Sequence, residues 1–476
     1  MQTSRRITSA IAVLVVLGAV AAAGWWYQAN HSRPTPTTHG VTAVVTSEGD
    51  RGPGSLREAL FVVASAKEAA TISIQVRRIV LETALPPIVN ARGVTILAQP
   101  AGAVIDAQGL KSPYVLDVAG PNTSIEGLII RNCNGAAIIL RAARFRMTAN
   151  AVEACDVGLD VAENATDVLL ERNRFTNDRI GVRFAGSAKN SSVVKNEFSN
   201  SKDAGFWAVR SAPDSTGAAI SIRDNKFSGD RTGMVVGNVS VVVERNELIN
   251  APEAAVHVVG AGAVIRGNRI TGGASMGIVA ENARSAVIEN NELDGITAYG
   301  IMVRGSGNTL VRGNRIHNCG YGMAFVLGDS QAPSSAVENT VLEPKFNGID
   351  VVGDSPILRR NQVLRPRALA LHVEDFQPPQ GAKVHSKPFL DNNTFGAADV
   401  AAVAAHERVA RAAHHDAVRC KPIELVVFDD DGTGVLRNDA HGSATGDAIS
   451  SQRRSRADHM DRRFARVDDF VTLHQQ

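Results

Sequence analysis

The chain is short of three things that mark out common functional classes: cysteine, aromatic residues and net charge. Four cysteines in 476 residues are too few for a disulfide scaffold. Fifty Lys and Arg against 48 Asp and Glu leave a net charge of +2, which excludes a nucleic-acid binder driven by bulk charge. No His/Cys/Asp cluster has zinc spacing, so no metal and no cofactor is expected. Disorder is excluded too, because hydrophobic residues at 44% and charged residues at 21% supply a large core. What is abundant is small turn chemistry: 42 glycines, and asparagines at regular intervals.

One long apolar run stands out. Arg5 and Arg6 precede an uncharged stretch from Ile7 to Tyr27, enough at ~1.5 Å per residue to cross a bilayer core of roughly 30 Å. The basic flank places that end in the cytoplasm, and Trp25, Trp26 and Tyr27 suit a membrane interface. Residues 1–27 therefore read as a signal anchor, with cleavage at Ala21-Ala22-Ala23 as the alternative. The expected location is the inner membrane with the body of the chain in the periplasm, or secretion if the signal is cleaved. Residues 28–40, with Pro34 and Pro36, read as a linker.

Beyond residue 90 the chain is a repeat. An Asn followed two residues later by an apolar side chain recurs at Asn150, Asn173, Asn196, Asn225, Asn246, Asn268, Asn291, Asn314, Asn339, Asn361 and Asn393. Short β-branched segments flank each Asn, as in Val168-Leu169-Leu170 and Gly181-Val182-Arg183-Phe184, and are too short for helices. Three short strands per period fit an all-β fold, a right-handed parallel β-helix of about twelve coils over 91–397, in which each coil buries its apolar face only when the next one stacks on it. Asn is expected to supply the left-handed turn conformation and to hydrogen-bond from coil to coil as a ladder. Residues 41–90 read as an amino-terminal cap and first strands. There Ser55 and Glu58 form a capping box, with Phe61, Val62, Val63 and Ala66 as the apolar face of the capping helix. The Ala-rich stretch 397–411 predicts a helix on the last coil, within a capping region 398–422.

The run Gly52-Pro53-Gly54-Ser55-Leu56-Arg57-Glu58-Ala59-Leu60 resembles the Ser-Leu-Arg-Glu-Ala cap of many secreted bacterial β-helix proteins. The repeats resemble the pectate-lyase-like superfamily, particularly its carbohydrate-binding and sugar-hydrolase subset, over roughly 41–397. That resemblance implies a polysaccharide lying along the face of the strand that follows each Gly-apolar pair. It does not imply a reaction, because the fold hosts lyases, hydrolases, epimerases and non-catalytic proteins. The Asp pair of polygalacturonases, the Asp-Pro-His-Asp run of alginate epimerases and the Arg-x-Pro-x-x-Arg pattern of pectate lyases are absent, so no catalytic residue carries over.

Alternation along a strand predicts an outward column on that face: Asp160, Arg183, Trp207, Val235, His257, Val279, Met302, Ala324, Asp350. Within it Asp160, Arg183, Trp207 and His257 are the candidate substrate contacts. An Arg binds a carboxylate through two hydrogen bonds, a Trp stacks on a sugar face, and His or Asp moves a proton. An ordinary solvated sheet face accounts for the same residues. Glu281 and Arg304 are expected as an exposed cross-coil ion pair worth ~0–1 kcal/mol. Longer intervals place extra chain at 209–219, 327–336 and 374–387, positioned to wall the same face. Cys133 and Cys155 fall in the same turn of neighbouring coils, within disulfide reach at ~5 Å between α-carbons; two stacked thiols are the alternative.

Residues 423–476 do not continue the repeat. Ile423 to Thr433 resembles the first motif of haloacid-dehalogenase-like phosphatases, whose nucleophile and acid/base would match Asp429 and Asp431, but the domain that family needs does not follow. A terminal strand or a poorly ordered tail accounts for it better. The functional expectation is an envelope β-helix protein that binds, or modifies, an extended acidic polysaccharide. The alternatives are a lyase or C5-epimerase acting on uronates, with Arg183 and His257 as the proton-transfer pair, and a non-catalytic assembly protein.

Overall fold

The computed structural model describes residues 40–99, 101–186, 189–210, 220–328, 332–378, 382–396, 400–403, 425–428 and 434–436. The expected anchor over 1–27 lies outside them, as does nearly all of the linker. Among the described residues no helix is long and apolar enough to cross a membrane.

The chain winds as a parallel β-solenoid of about 13 turns, one more than the asparagines suggest. Each turn gives one strand to each of three sheets, called here A, B and C, which with further strands at the two ends number 15, 14 and 15. One turn shows the pattern: Leu169–Glu171 in A, Arg174–Thr176 in B and Ile180–Phe184 in C. Each strand pairs parallel with its counterpart one turn on. Inward side chains stack on like neighbours. Phe175, Phe198 and Phe227 form one such column, with ring centroids 5.1 and 4.5 Å apart, and all three are buried.

The repeat asparagines are buried at the corner between sheets A and B. Each Nδ2 donates to the Oδ1 of the Asn one turn on, from Asn150 to Asn393. The ladder is as expected, but the turn conformation is not. The left-handed residue is the one before the Asn: Ala149, Arg172, Lys195, Asp224, Arg245, Gly267, Asn290, Gly313, Glu338, Arg360 and Asn392. An Asn cannot turn its amide outward and inward at once. The preceding residue bears the left-handed cost of roughly 1–2 kcal/mol, and the Asn, itself outside the left-handed region, aims its amide along the rod.

Around that ladder the exposed charges alternate in sign. On sheet B, Arg174, Glu197, Lys226, Glu247, Arg269, Glu292 and Arg315 are successive rungs. On sheet A, Arg223, Glu244, Arg266, Glu289 and Arg312 do the same, with contacts such as Arg266–Glu244 at 3.3 Å and Arg312–Glu289 at 3.0 Å. Opposite charges directly across a rung are worth roughly 0.2–1 kcal/mol each.

At the amino end, helix α1 (Leu56–Ala64) lies against strands Thr42–Val45 and Ala70–Ile74. Ser55 Oγ accepts from the Glu58 N–H at 3.2 Å, and the Glu58 carboxylate accepts from the Gly54 N–H at 2.6 Å. The buried face is Leu56, Ala59, Leu60 and Val63. Phe61 and Val62 are exposed, contrary to expectation, because the spacing of the buried positions turns them to the opposite side. At the carboxyl end, of the stretch 397–411 expected as a helix only 400–403 lies among the described residues, and there the expectation is corrected. Val400–Val403 is a strand pairing parallel with Leu371–Glu374, and Leu425–Phe428 adds to it. Joining the ladder satisfies backbone groups that a helix there would leave open at the sheet edge.

Cys133 and Cys155 form a disulfide across adjacent turns, with α-carbons 4.3 Å apart. The bridge closes a loop spanning 22 positions. Cys155→Ser should therefore lower the unfolding free energy by about 2–4 kcal/mol, read from urea unfolding with and without reductant. A reductant-insensitive wild type would contradict this. Cys319 is a buried free thiol, pushed up to about 11 by burial. Cys420 lies outside the described residues.

Candidate functional site

The outer face of sheet C is built by one register that runs from Asp117 through Ile139, Asp160, Arg183, Trp207, Val235, His257, Val279, Met302, Ala324 and Asp350 to His372. The column read from the sequence is thus in place, but its two halves differ.

In the amino-terminal half the side chains from Ile139 to Trp207 are partly open to solvent. Arg183 donates twice to Asp160, from Nε to Oδ1 at 2.9 Å and from an Nη to Oδ2 at 2.7 Å, and this pairing makes the guanidinium hold its proton more tightly. Two turns earlier on the same face Arg141 meets Asp117 at 3.1 Å. At the turn leading into sheet C, Arg179 bridges Asp156 and Asp203, and its hydrogen bond holds the Asp156 carboxyl below the usual carboxylate range. Trp207 is half-buried, with its ring against the small cluster of Ala136, Val157 and Ile180. An Arg with its fork occupied offers a second ligand only its remaining edge. Asp160, Arg183 and Trp207 are therefore neighbours, as expected, but the Arg is already engaged.

In the carboxyl-terminal half the face is covered. Val279, Met302 and Ala324 are buried in a second apolar cluster with Ala298, Tyr299 and Val326, against which Tyr321, Leu327 and Phe376 pack. Phe376 comes from the extra chain at 374–387. Its backbone and that of Val384 pair at 2.9 and 2.8 Å, and Asp375 ties the strap together by accepting from Ser386 N–H at 2.7 Å and meeting His385 and Lys383 at 2.8 and 3.2 Å. That insertion walls the face, as its position implied. Of the other two, residues 211–219 and 329–331 lie outside the described residues.

His257 is buried on this face, with Nε2 3.1 Å from Glu281 Oε2; the other Glu281 oxygen accepts from Arg304 at 3.3 Å. The pair expected as an exposed Glu281–Arg304 bridge is instead part of a three-residue relay around a carboxylate that is only 5% exposed. Arg183 and His257 are not brought together. They sit three rungs apart on the column, or ~14 Å at the spacing of paired strands, too far to act on one sugar carbon.

The sequence reading gives Asp350 a place on the outward column but no role, and it passes over a neighbouring aromatic group. Asp350 is fully buried; its Oδ1 accepts from Asn347 Nδ2 at 2.7 Å and faces His372 Nδ1 at 3.3 Å. Beside it Tyr299, Tyr321 and Phe346 stack at 4.7 and 5.0 Å, and the last ring is 45% exposed. The signal was present, since Tyr299 and Tyr321 immediately precede, and Phe346 lies two residues before, a Gly at the start of a sheet C strand. Among the described residues no three His, Cys, Asp or Glu side chains are grouped to hold a metal ion.

Comparison with curated proteins finds no match. Solved structures that resemble the chain include three β-helix proteins. The catalytic unit of a GH87 α-1,3-glucanase from Streptomyces thermodiastaticus has a TM-score of 0.47 at 15% identity, covering 78% of this chain and 71% of that one. The A-module of the mannuronan C-5 epimerase AlgE6 of Azotobacter vinelandii has a TM-score of 0.43 at 12% identity, covering 73% and 97%. The periplasmic alginate epimerase AlgG has a TM-score of 0.37 at 12% identity, covering 66% and 74%. A family model described as a right-handed β-helix region matches residues 108–216 and 212–363, more than half of the sequence and most of the solenoid described above. The chain belongs to the right-handed β-helix family.

Proposed function

We propose that the protein binds an extended polysaccharide along the outer face of sheet C, held at the outer side of the inner membrane by the run Ile7–Tyr27. The observation that supports this best is the partly open stretch of the column from Ile139 to Trp207. Its rungs repeat at ~4.8 Å, close to the length of one pyranose unit, so successive sugars would meet successive side chains, among them Asp160, Arg183 and Trp207. Asp117 and Asp160 offer acceptors for hydroxyl groups, and Trp207 offers a half-open ring beside them. Helix α1 shields the amino-terminal end and the apolar cluster around Met302 covers the carboxyl-terminal half, leaving the stretch around Asp160, Arg183 and Trp207 as the binding surface.

Trp207→Ala should weaken retention on a bound polysaccharide by about tenfold, the loss expected for one stacking contact of 1–1.5 kcal/mol. Affinity electrophoresis of the full chain in gels cast with acidic and neutral polymers measures this. Unchanged mobility of the variant in every gel that retards the wild type would sink the reading.

An enzymatic alternative, a lyase or C5-epimerase, draws on one feature: the imidazole of His257 oriented by Glu281. Incubation of the same polymers in heavy water, followed by mass spectrometry, distinguishes it. Shortened, unsaturated or deuterated products support an enzyme, and their absence from a polymer that binds leaves a binding protein.

A further inference from the structure

We infer that the corner between sheets B and C at Phe346 is a subsite for an anionic sugar, with Phe346 as its platform and Lys345 and Arg367 as its cation pair. The inference rests on the polysaccharide reading above and assigns it a substrate class. The ladder Tyr299–Tyr321–Phe346 becomes more exposed toward the carboxyl end, from 5% at Tyr299 to 45% at Phe346. It then stops. The next rung under Phe346 is Ala368, whose N–H donates to the Phe346 carbonyl at 3.4 Å. A methyl side chain leaves the outer ring face without the aromatic partner that the two rings before it have. A flat apolar surface of about one ring is what the hydrophobic side of a pyranose covers.

Two cations flank this step. Arg367 donates its N–H to the Pro344 carbonyl at 3.1 Å, a register that sets it one rung from Lys345. Both side chains are exposed, and neither meets a carboxylate among the described residues. On the sheet C face the contrast is plain: Arg141, Arg183 and Arg304 are each bound to an acid. The nearby Glu343 is taken by Arg365 at 2.9 Å. An uncommitted guanidinium and ammonium beside an open ring recognise a carboxylate, sulfate or phosphate on a sugar. Arg183, to which the sequence assigned that role, has already given its fork to Asp160.

The test uses the full chain against polygalacturonate, alginate and a sulfated glycan, with dextran as the neutral control. The Lys345→Gln/Arg367→Gln double variant should bind an acidic polymer at least roughly tenfold more weakly, with a flatter dependence on salt, and bind the neutral polymer as the wild type does. Phe346→Ala should weaken both. Lys345→Arg/Arg367→Lys, which keeps both charges, should retain most of the affinity, so a general folding defect would be recognised. Acidic-polymer affinity unchanged in the double variant overturns the subsite while polysaccharide binding stands. Wild-type binding restricted to dextran has the same meaning. No binding of the wild type to any polymer removes both the subsite and the reading beneath it.

Discussion

Asn268→Ala should cost at least about 3 kcal/mol, although the residue touches no ligand and no catalytic group. Its Nδ2 donates to Asn291 Oδ1, to the Val243 carbonyl and to the Arg266 carbonyl at 2.9, 3.0 and 3.1 Å. Its Oδ1 accepts from both the backbone N–H and the Nδ2 of Asn246 at 3.0 Å. Truncation leaves these partners in a site that is 1% exposed, where each unsatisfied polar group costs about 1–3 kcal/mol. Because a solenoid is stabilised turn by turn against nearest neighbours, the transition should broaden as well as shift. Thermal unfolding followed by far-UV circular dichroism measures both. Arg269→Ala, an adjacent and largely exposed position, should stay within about 0.5 kcal/mol of wild type. Equal effects of the two variants would show that the ladder carries no special weight.

A second large effect concerns pH. Asp178 is fully buried at the turn into sheet C, with Oδ1 accepting from the Cys155 N–H at 2.8 Å. Burial first, and then the charges of Glu153 and Asp230, push its carboxyl up to about 8. In the unfolded chain the same group titrates near 3.8. Below that value both states hold the proton and folding bears no penalty. Between there and about pH 8 the unfolded chain releases a proton that the folded rod retains, so stability falls as pH rises and levels off above. Asp178→Asn keeps the acceptor and removes the titration. It should be more stable than wild type by several kcal/mol at pH 8, with the advantage shrinking steadily toward pH 4. Asp230 and Asp354, each raised to about 6 by burial, add a slope of the same sign in both proteins. Asp50, Asp106 and Asp375, which are lowered, contribute the opposite sign, so only the difference between variant and wild type isolates Asp178. A constant difference from pH 4 to 8 would refute the assignment.

How far these features can be read in the sequence depends on whether a local rule or a distant contact decides them. The period, the parallel stacking and the outward register of Asp160, Arg183, Trp207 and His257 follow from alternation and spacing. The left-handed residue before each Asn does not, because nothing local says which of two neighbours gives its amide to the turn above. Nor does alternation say whether an outward side chain meets water. Met302 and Val279 point away from the core and are still buried, in an apolar cluster to which Tyr321, Leu327 and Phe376 add from later turns. Arg183 looked like an open cation until Asp160, 23 residues earlier, claimed both arms of its fork. Phe346, Lys345 and Arg367 were passed over because they lie at the corner before sheet C, off the outward column that alternation picks out.

The alternating charges around the asparagine ladder bear on how such a protein can grow. The four-residue corners read Arg223-Asp224-Asn225-Lys226, Glu244-Arg245-Asn246-Glu247, Arg266-Gly267-Asn268-Arg269, Glu289-Asn290-Asn291-Glu292 and Arg312-Gly313-Asn314-Arg315. Flanking charges within one turn share a sign, and adjacent turns oppose. Turns therefore come in two polarities, and copying a single one sets like charge on like in both sheets at the new seam, a penalty at each contact. Copying two keeps every contact attractive. The natural increment of length in this part of the molecule is a pair of turns, and a chain shifted by one turn during folding meets the same repulsion that an odd duplication does.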